Sequence, residues 1–325
     1  MAADLIQALP KVELHCHSDG AVDPEMLRSL GGEERDFDEL AAALEGAYPI
    51  SSLERWATAY APIIDKFLGP ISARLPVVIL AQAARWRRQN VQYAELFVSR
   101  ALGGIADQGA MLEWFRMVRA QLDALAGNPR ISLVVCVGRG SREKLAAQTP
   151  RILALARAGL VTGVALAGDE LACPVRALEH FFAEFHAHGL GIEIHAGETG
   201  GPDSVRDALD FGRPHRLGHG VRAFEDPALV DRLVRERVHL EFCPTSNVRL
   251  GVVRAYEQLP IRAALRAGLE FSINTDDPGV FECSLTSELQ TVTESFQLTP
   301  SELEKIFSWS LRAAFDNRGG TGDGV

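Results

Sequence analysis

His15 and His17 are the first residues in this chain whose type and spacing could do chemistry. They lie two apart, which on a β-strand puts both imidazoles on one side. Further groups of the same kind follow: His195 with Glu198 in the same turn, His219 in Leu-Gly-His-Gly, and the pair Asp276-Asp277. His15, His17, His195 and Asp276 would supply imidazole nitrogens and one carboxylate. That donor set suits a single Zn²⁺ with a position left for water. Such an ion lowers the pKa of its water from about 15.7 to about 7, so hydroxide is available at neutral pH. Hydrolysis also needs a proton carrier. Glu198 follows His195 closely enough to be that acid, and His219 is placed to hold the hydroxide or take its proton.

Competing zinc patterns fit less well. A two-metal barrel site uses a carboxylated lysine at a strand end. The lysines here are Lys11, Lys66, Lys144 and Lys305, while the fourth strand candidate ends in Ala167-Gly168-Asp169-Glu170. One metal is expected. His239-Leu240-Glu241 has the H-x-E half of the cytidine-deaminase pattern, but no P-C-x-x-C accompanies it. His239 is therefore read as structural, and His180, His186, His188 and His215 receive no role.

Four catalytic strand ends must be brought together by a fold. Apolar, β-branched runs recur at 12–17, 91–98, 131–137, 161–168, 191–196, 216–220, 239–244 and 271–277. Most are followed by segments of helical period, the order that builds a parallel sheet. In 174–188, Val175, Leu178, Phe182 and Phe185 share one helical face, and Asp226-Pro227 reads as an N-cap with proline in the first turn. Eight such units imply a closed α/β (β/α)₈ TIM barrel, whose site lies at the C-terminal strand ends. Residues 18–90 make the first gap about twice a normal unit, which predicts a helical insertion between strand 1 and strand 2, read as a lid. The expected organisation is one metal-dependent hydrolase domain over 1–316 and a disordered tail over 317–325.

The 325 residues carry 47% hydrophobic and 23% charged side chains, which excludes a mainly disordered chain. A net charge of −10 argues against nucleic acid or an anionic membrane as partner and leaves a small molecule as the natural ligand. No apolar run is long enough to span a bilayer, and the N-terminal residues lack the basic start and apolar stretch of a signal peptide. Cys16, Cys136, Cys173, Cys243 and Cys283 are odd in number and never spaced C-x-x-C, the pattern of reduced thiols in a cytoplasmic protein.

The motifs at 10–21 (PKVELHCHSDGA), 166–170 (LAGDE), 195–198 (HAGE), 216–220 (RLGHG), 243–247 (CPTSN) and 274–278 (NTDDP) together resemble the adenosine deaminase family, in the family's order. The resemblance implies that His15, His17, His195 and Asp276 bind one catalytic zinc. It implies that Glu198 protonates purine N1, and that hydroxide attacks C6 while His219 and Asp276 position it and take its proton. Gly168 would meet N3 through its backbone, Asp277 would bond N7, and Asp19 the ribose 5′-hydroxyl, with His17 also beside the substrate. The leading substrate is then adenosine or 2′-deoxyadenosine, yielding inosine or 2′-deoxyinosine plus ammonia. The alternatives are adenine, or an N6- or 5′-modified adenosine. A relative that only binds nucleosides is disfavoured, because every ligand and the acid are present. Three residues depart from the family pattern: Phe97 stands where an arginine is usual, Leu259 where a histidine is common, and Ser18 where an apolar residue is usual. Asp19 favours a sugar-bearing substrate, since the adenine-specific branch carries Glu there.

Overall fold

Eight strands pair in sequence order, each parallel to the next: β1 (Lys11–His17), β2 (Val91–Val98), β3 (Arg130–Gly138), β4 (Gly163–Ala167), β5 (Gly191–Ala196), β6 (Arg216–His219), β7 (His239–Phe242) and β8 (Phe271–Ile273). The computed structural model describes residues 3–318 except 32–34, 49–51, 53, 54, 70, 100, 126, 128 and 141. Strands buried on both faces explain the near-continuous apolar runs. The sheet closes just beyond β8. There the amide of His17 donates to the Asp276 carbonyl at 2.8 Å, and that of Asp276 to the His15 carbonyl at 2.9 Å. The expected (β/α)₈ barrel is the fold observed.

Alternation along β1 sends Cys16 outward into the helix-facing core and turns His15 and His17 inward. The opposite end of the barrel is plugged by Phe315. A Cβ added to Gly163 or Gly191 would lie 2.4 or 2.2 Å from that ring. The Arg216 guanidinium sits 3.5 Å over the same ring and pairs with Glu95 at 2.5 Å and with Glu241. A buried arginine of this kind is tolerable only with such partners.

The stretch expected as one helix over 174–188 divides into a 3₁₀ turn, Val175–Leu178, and an α-helix, Glu179–Ala187. Leu178 leaves helical geometry at φ −119°, ψ 4°, while the four predicted apolar residues are buried as expected. Asp226 caps the helix Pro227–Glu236, accepting from the Ala228 amide at 2.9 Å. Between β1 and β2 lie the predicted helices of the insertion, Pro24–Gly31, Arg35–Ala47, Ala61–Leu68 and Ile71–Arg88, with a π-helical turn at Trp56–Tyr60. Tyr60 ties it to the strand-1 loop, its hydroxyl donating to the carbonyls of Val22 at 2.7 Å and Asp19 at 3.1 Å. Asn317 and Arg318, expected in the tail, instead sit in a 3₁₀ turn with Phe315, where the Asn317 side chain donates to the Leu311 carbonyl. Residues 319–325 lie outside the described residues. No described helix is long and apolar enough to cross a membrane.

Candidate active site

A cavity of about 430 Å³ opens at the C-terminal strand ends, where a barrel enzyme places its site. His17, Asp19, Gly168, His195, Glu198, His219, Asp276 and Asp277 all line it. His15 lies directly beneath, with no exposed surface.

The imidazoles converge. His15 Nε2 and His17 Nε2 each stand 3.4 Å from Asp276 Oδ1, and His17 Nε2 is 3.3 Å from His195 Nε2. His15 Nε2 is buried without a hydrogen-bond partner, an orphan that a cation would satisfy. His219 also belongs to this cluster: a ligand atom from each of His15, His195, His219 and Asp276 falls within a 4.8 Å set. Burial lowers His17 to about 3 and holds His195 well below the usual histidine range, so both rings are neutral and able to ligate. Nitrogen-rich donors with one carboxylate fit zinc better than the oxygen-seeking cations.

Two of the inward rings, those of His15 and His195, are braced from below. His15 Nδ1 is 2.7 Å from Glu241 Oε2, and His195 Nδ1 is 3.1 Å from Glu193 Oε2. These carboxylates turn the Nε2 atoms toward the cluster, as partners of metal-binding histidines do. The braces fit because residue 218 has no side chain. A Cβ there would lie 2.2 Å from Glu193 Oε1 and 2.9 Å from the His15 ring. Ser246 donates to Asp276 Oδ2 at 2.7 Å, and Asn247 Nδ2 lies 3.0 Å from His219 Nδ1. His219 and Asp276 both adopt left-handed backbone, φ 62° and 61°. Strain of this kind collects at functional sites, and here it turns two side chains into the cavity mouth.

Glu198 stands on the loop after β5, its Oε1 3.8 Å from His219 Nε2. Burial raises its pKa, and the Asp276 and Glu170 charges add to the effect against the opposing pull of His219. Asp277 is pushed well above the usual carboxylate range, first by burial and then by Asp276 and Asp19. Its carboxyl packs against Gly20, where a Cβ would overlap Oδ1 at 1.6 Å.

The departures from the family pattern fall outside the cavity. Phe97 lies under the histidines, its ring centroid 4.9 Å from that of His15, while Leu259 and Ser18 are buried elsewhere. The cavity is also lined by Trp56, Ser99, Cys136, Leu250 and Phe281, of which only Cys136 is named by the sequence reading. Cys136, one of the five cysteines read as reduced thiols, faces the cavity from β3. The braces were partly visible in advance, since Glu193 stands two residues before His195 on one strand face.

The adenosine deaminase family model matches residues 10–320. A curated adenine deaminase from Sinorhizobium fredii is 34% identical, covering 94% of this chain and 94% of that protein. An aminodeoxyfutalosine deaminase from Streptomyces avermitilis is 31% identical, covering 95% of this chain and 87% of that protein. Among solved structures, an amidohydrolase from Burkholderia ambifaria with bound Zn superposes with a TM-score of 0.77 at 23% identity, covering 98% of this chain and 90% of that one. The match along the barrel and the identity to these deaminases establish that the chain belongs to the adenosine deaminase family, and is an aminohydrolase acting on an amidine C–N bond.

Proposed function

We propose that this protein catalyses zinc-dependent hydrolytic deamination of a 6-aminopurine. One observation carries the reading: His15, His17 and His195 converge on Asp276 beside Glu198, at one cavity. These four residues would hold one zinc, which supplies hydroxide at neutral pH. Glu198, whose pKa its buried setting raises, would donate to purine N1 and make C6 electrophilic. His219 and Asp276 would orient the attacking oxygen and accept its proton. The Gly168 backbone would meet N3, and the Asp277 carboxyl, pushed toward its neutral form, would donate to N7.

The relatives favour adenine or a substituted adenosine over adenosine itself, the leading expectation from the sequence. Adenine has the support of the rhizobial relative. A 5′-modified adenosine is favoured by Asp19 and by a cavity roomier than a bare purine needs, within the roughly 300–1,000 Å³ range of small-molecule sites. A 5′-phosphate is disfavoured. Asp19, Asp169 and Asp277 line the mouth, and none of the described lining residues is Lys or Arg. The insertion over 18–90 would act as the lid on the sugar side, and residues 1–316 as a single domain. The free cysteines accord with a cytoplasmic setting.

A panel of adenine, adenosine, 5′-substituted adenosines and AMP, followed by ultraviolet absorbance, tests the assignment. Turnover of adenine or a 5′-substituted adenosine with little on AMP is expected. Inertness toward every 6-aminopurine by zinc-loaded protein would overturn it.

A further inference from the structure

Glu170 has no assigned part in the chemistry, yet its carboxylate is almost wholly enclosed, at 3% exposure. Its partners are unusually directed. Oε2 accepts from the Gly197 amide at 2.8 Å, and Oε1 accepts from the amides of Glu198 and Thr199 at 2.9 Å each. The Ser204 hydroxyl also donates to Oε2, at 2.5 Å. Three successive amides converging on one anion form a nest, and charge-assisted bonds of this type are roughly twice as strong as neutral ones.

The surroundings are shaped for this contact. Gly197 takes φ +76°, and a Cβ on it would lie 2.7 Å from Val205. A Cβ on Gly200 would lie 2.6 Å from Glu170 Oε2. Glu170 is itself held in a tight turn after β4, where Asp169 Oδ1 accepts from the amides of Leu171 at 2.9 Å and Ala172 at 3.1 Å. Arg139 reinforces the arrangement, donating to the carbonyls of Cys173 at 2.7 Å and His195 at 2.6 Å. The loop after β5 is thus fixed by the loop after β4, and the amide at the centre of the nest belongs to Glu198.

We propose that Glu170 is a positioning residue for Glu198: its carboxylate clamps the loop backbone and so fixes where the general acid is presented to the purine. The proposal rests on the reading of Glu198 as that acid. Misplacing a catalytic group by about 1 Å can cost about 10²-fold in rate.

Glu170→Gln keeps the size and one acceptor oxygen while removing the anion. It is expected to retain zinc content and KM, to lower kcat about 10²-fold, and to speed amide exchange at residues 197–199. Gly200→Ala, which pushes on the same carboxylate, should lower kcat with the same signature, giving a second reading if Glu170→Gln folds poorly. On a Glu198→Gln background, Glu170→Gln should add no further loss, because the two act as one unit. A purely structural residue would instead cost the same factor on both backgrounds. Unchanged kcat in both single variants, an additive loss in the double variant, or unaltered exchange at 197–199 would overturn the proposal. Near-normal turnover by Glu198→Gln alone would instead overturn the proposed function.

Discussion

The two walls of the cavity are built differently. The wall formed by β1 and β5–β8 is held by hydrogen bonds between buried polar groups. Glu241 and Glu193 fix the His15 and His195 rings, and Ser246 and Asn247 meet Asp276 and His219. The loops beyond are fixed in the same way. Glu13 accepts from the Thr275 amide at 3.1 Å, Glu288 from the Thr245 amide at 3.0 Å, and Glu170 from the nest at 197–199. The rest of the lining includes large apolar side chains, Trp56 from the insertion and Phe281 and Leu250 from loops. Directional bonds in a low dielectric specify one geometry, whereas apolar contact specifies only shape and area. Under the proposed function, the braced groups would carry the reaction, and the apolar lining would select the substrate.

Substitutions on the two walls should therefore separate turnover from selectivity. The largest effect is expected for Glu198→Gln, which should keep its zinc and lose turnover by on the order of 10²–10⁴; steady-state kinetics with metal analysis checks it. Glu193→Gln should weaken metal binding about 10–100-fold, read by competition with a chelator, while zinc-saturated protein keeps most of its turnover. On the other wall, Trp56→Ala should raise KM about 10-fold with kcat little changed, since an aromatic face against a base is worth about 1–3 kcal/mol. A fall in kcat without a change in KM would erase the distinction between the walls.

The smallest effect concerns pH. Burial raises the Glu288 pKa to about 7, against the bonds to Thr245 that lower it. Its folded pKa therefore exceeds the unfolded value of about 4.3. The folded chain binds the extra proton, so this contribution to stability is complete in acid and is lost as pH rises to about 7. Glu288→Gln should flatten the dependence of Tm between pH 5 and 7 by a few degrees, measured by calorimetry.

How much could be read in advance follows the same division. β2 and β5 occupy the residues expected, because the apolar run of β2 is bounded by Asn90 and Ser99 and that of β5 ends between His195 and Gly197. β7 and β8 stop earlier than their runs suggested, at Phe242 and Ile273. Beyond those points the chain leaves the sheet for a helix at Pro244 and for the left-handed turn at Asp276. Histidines and acids at strand ends announce themselves by type and spacing, and this made the catalytic cluster legible. The braces obey the period-two rule, but that rule names a face and not a partner: Glu241 meets His15 across 226 positions of chain. The substrate wall was hardest to foresee. Trp56 and Phe281 carry no chemical signature, and only packing of the insertion against the strand-8 loop brings them to one cavity.

On the proposed function, a single zinc held by His15, His17, His195 and Asp276 would support deamination of a 6-aminopurine. The most direct test is to strip the protein of metal, confirm removal by elemental analysis, and titrate zinc back while following deamination of the best substrate from the panel. No turnover by the stripped protein and full recovery at about one zinc per chain are expected. Turnover that survives verified metal removal, or recovery that needs a second zinc per chain, would contradict it.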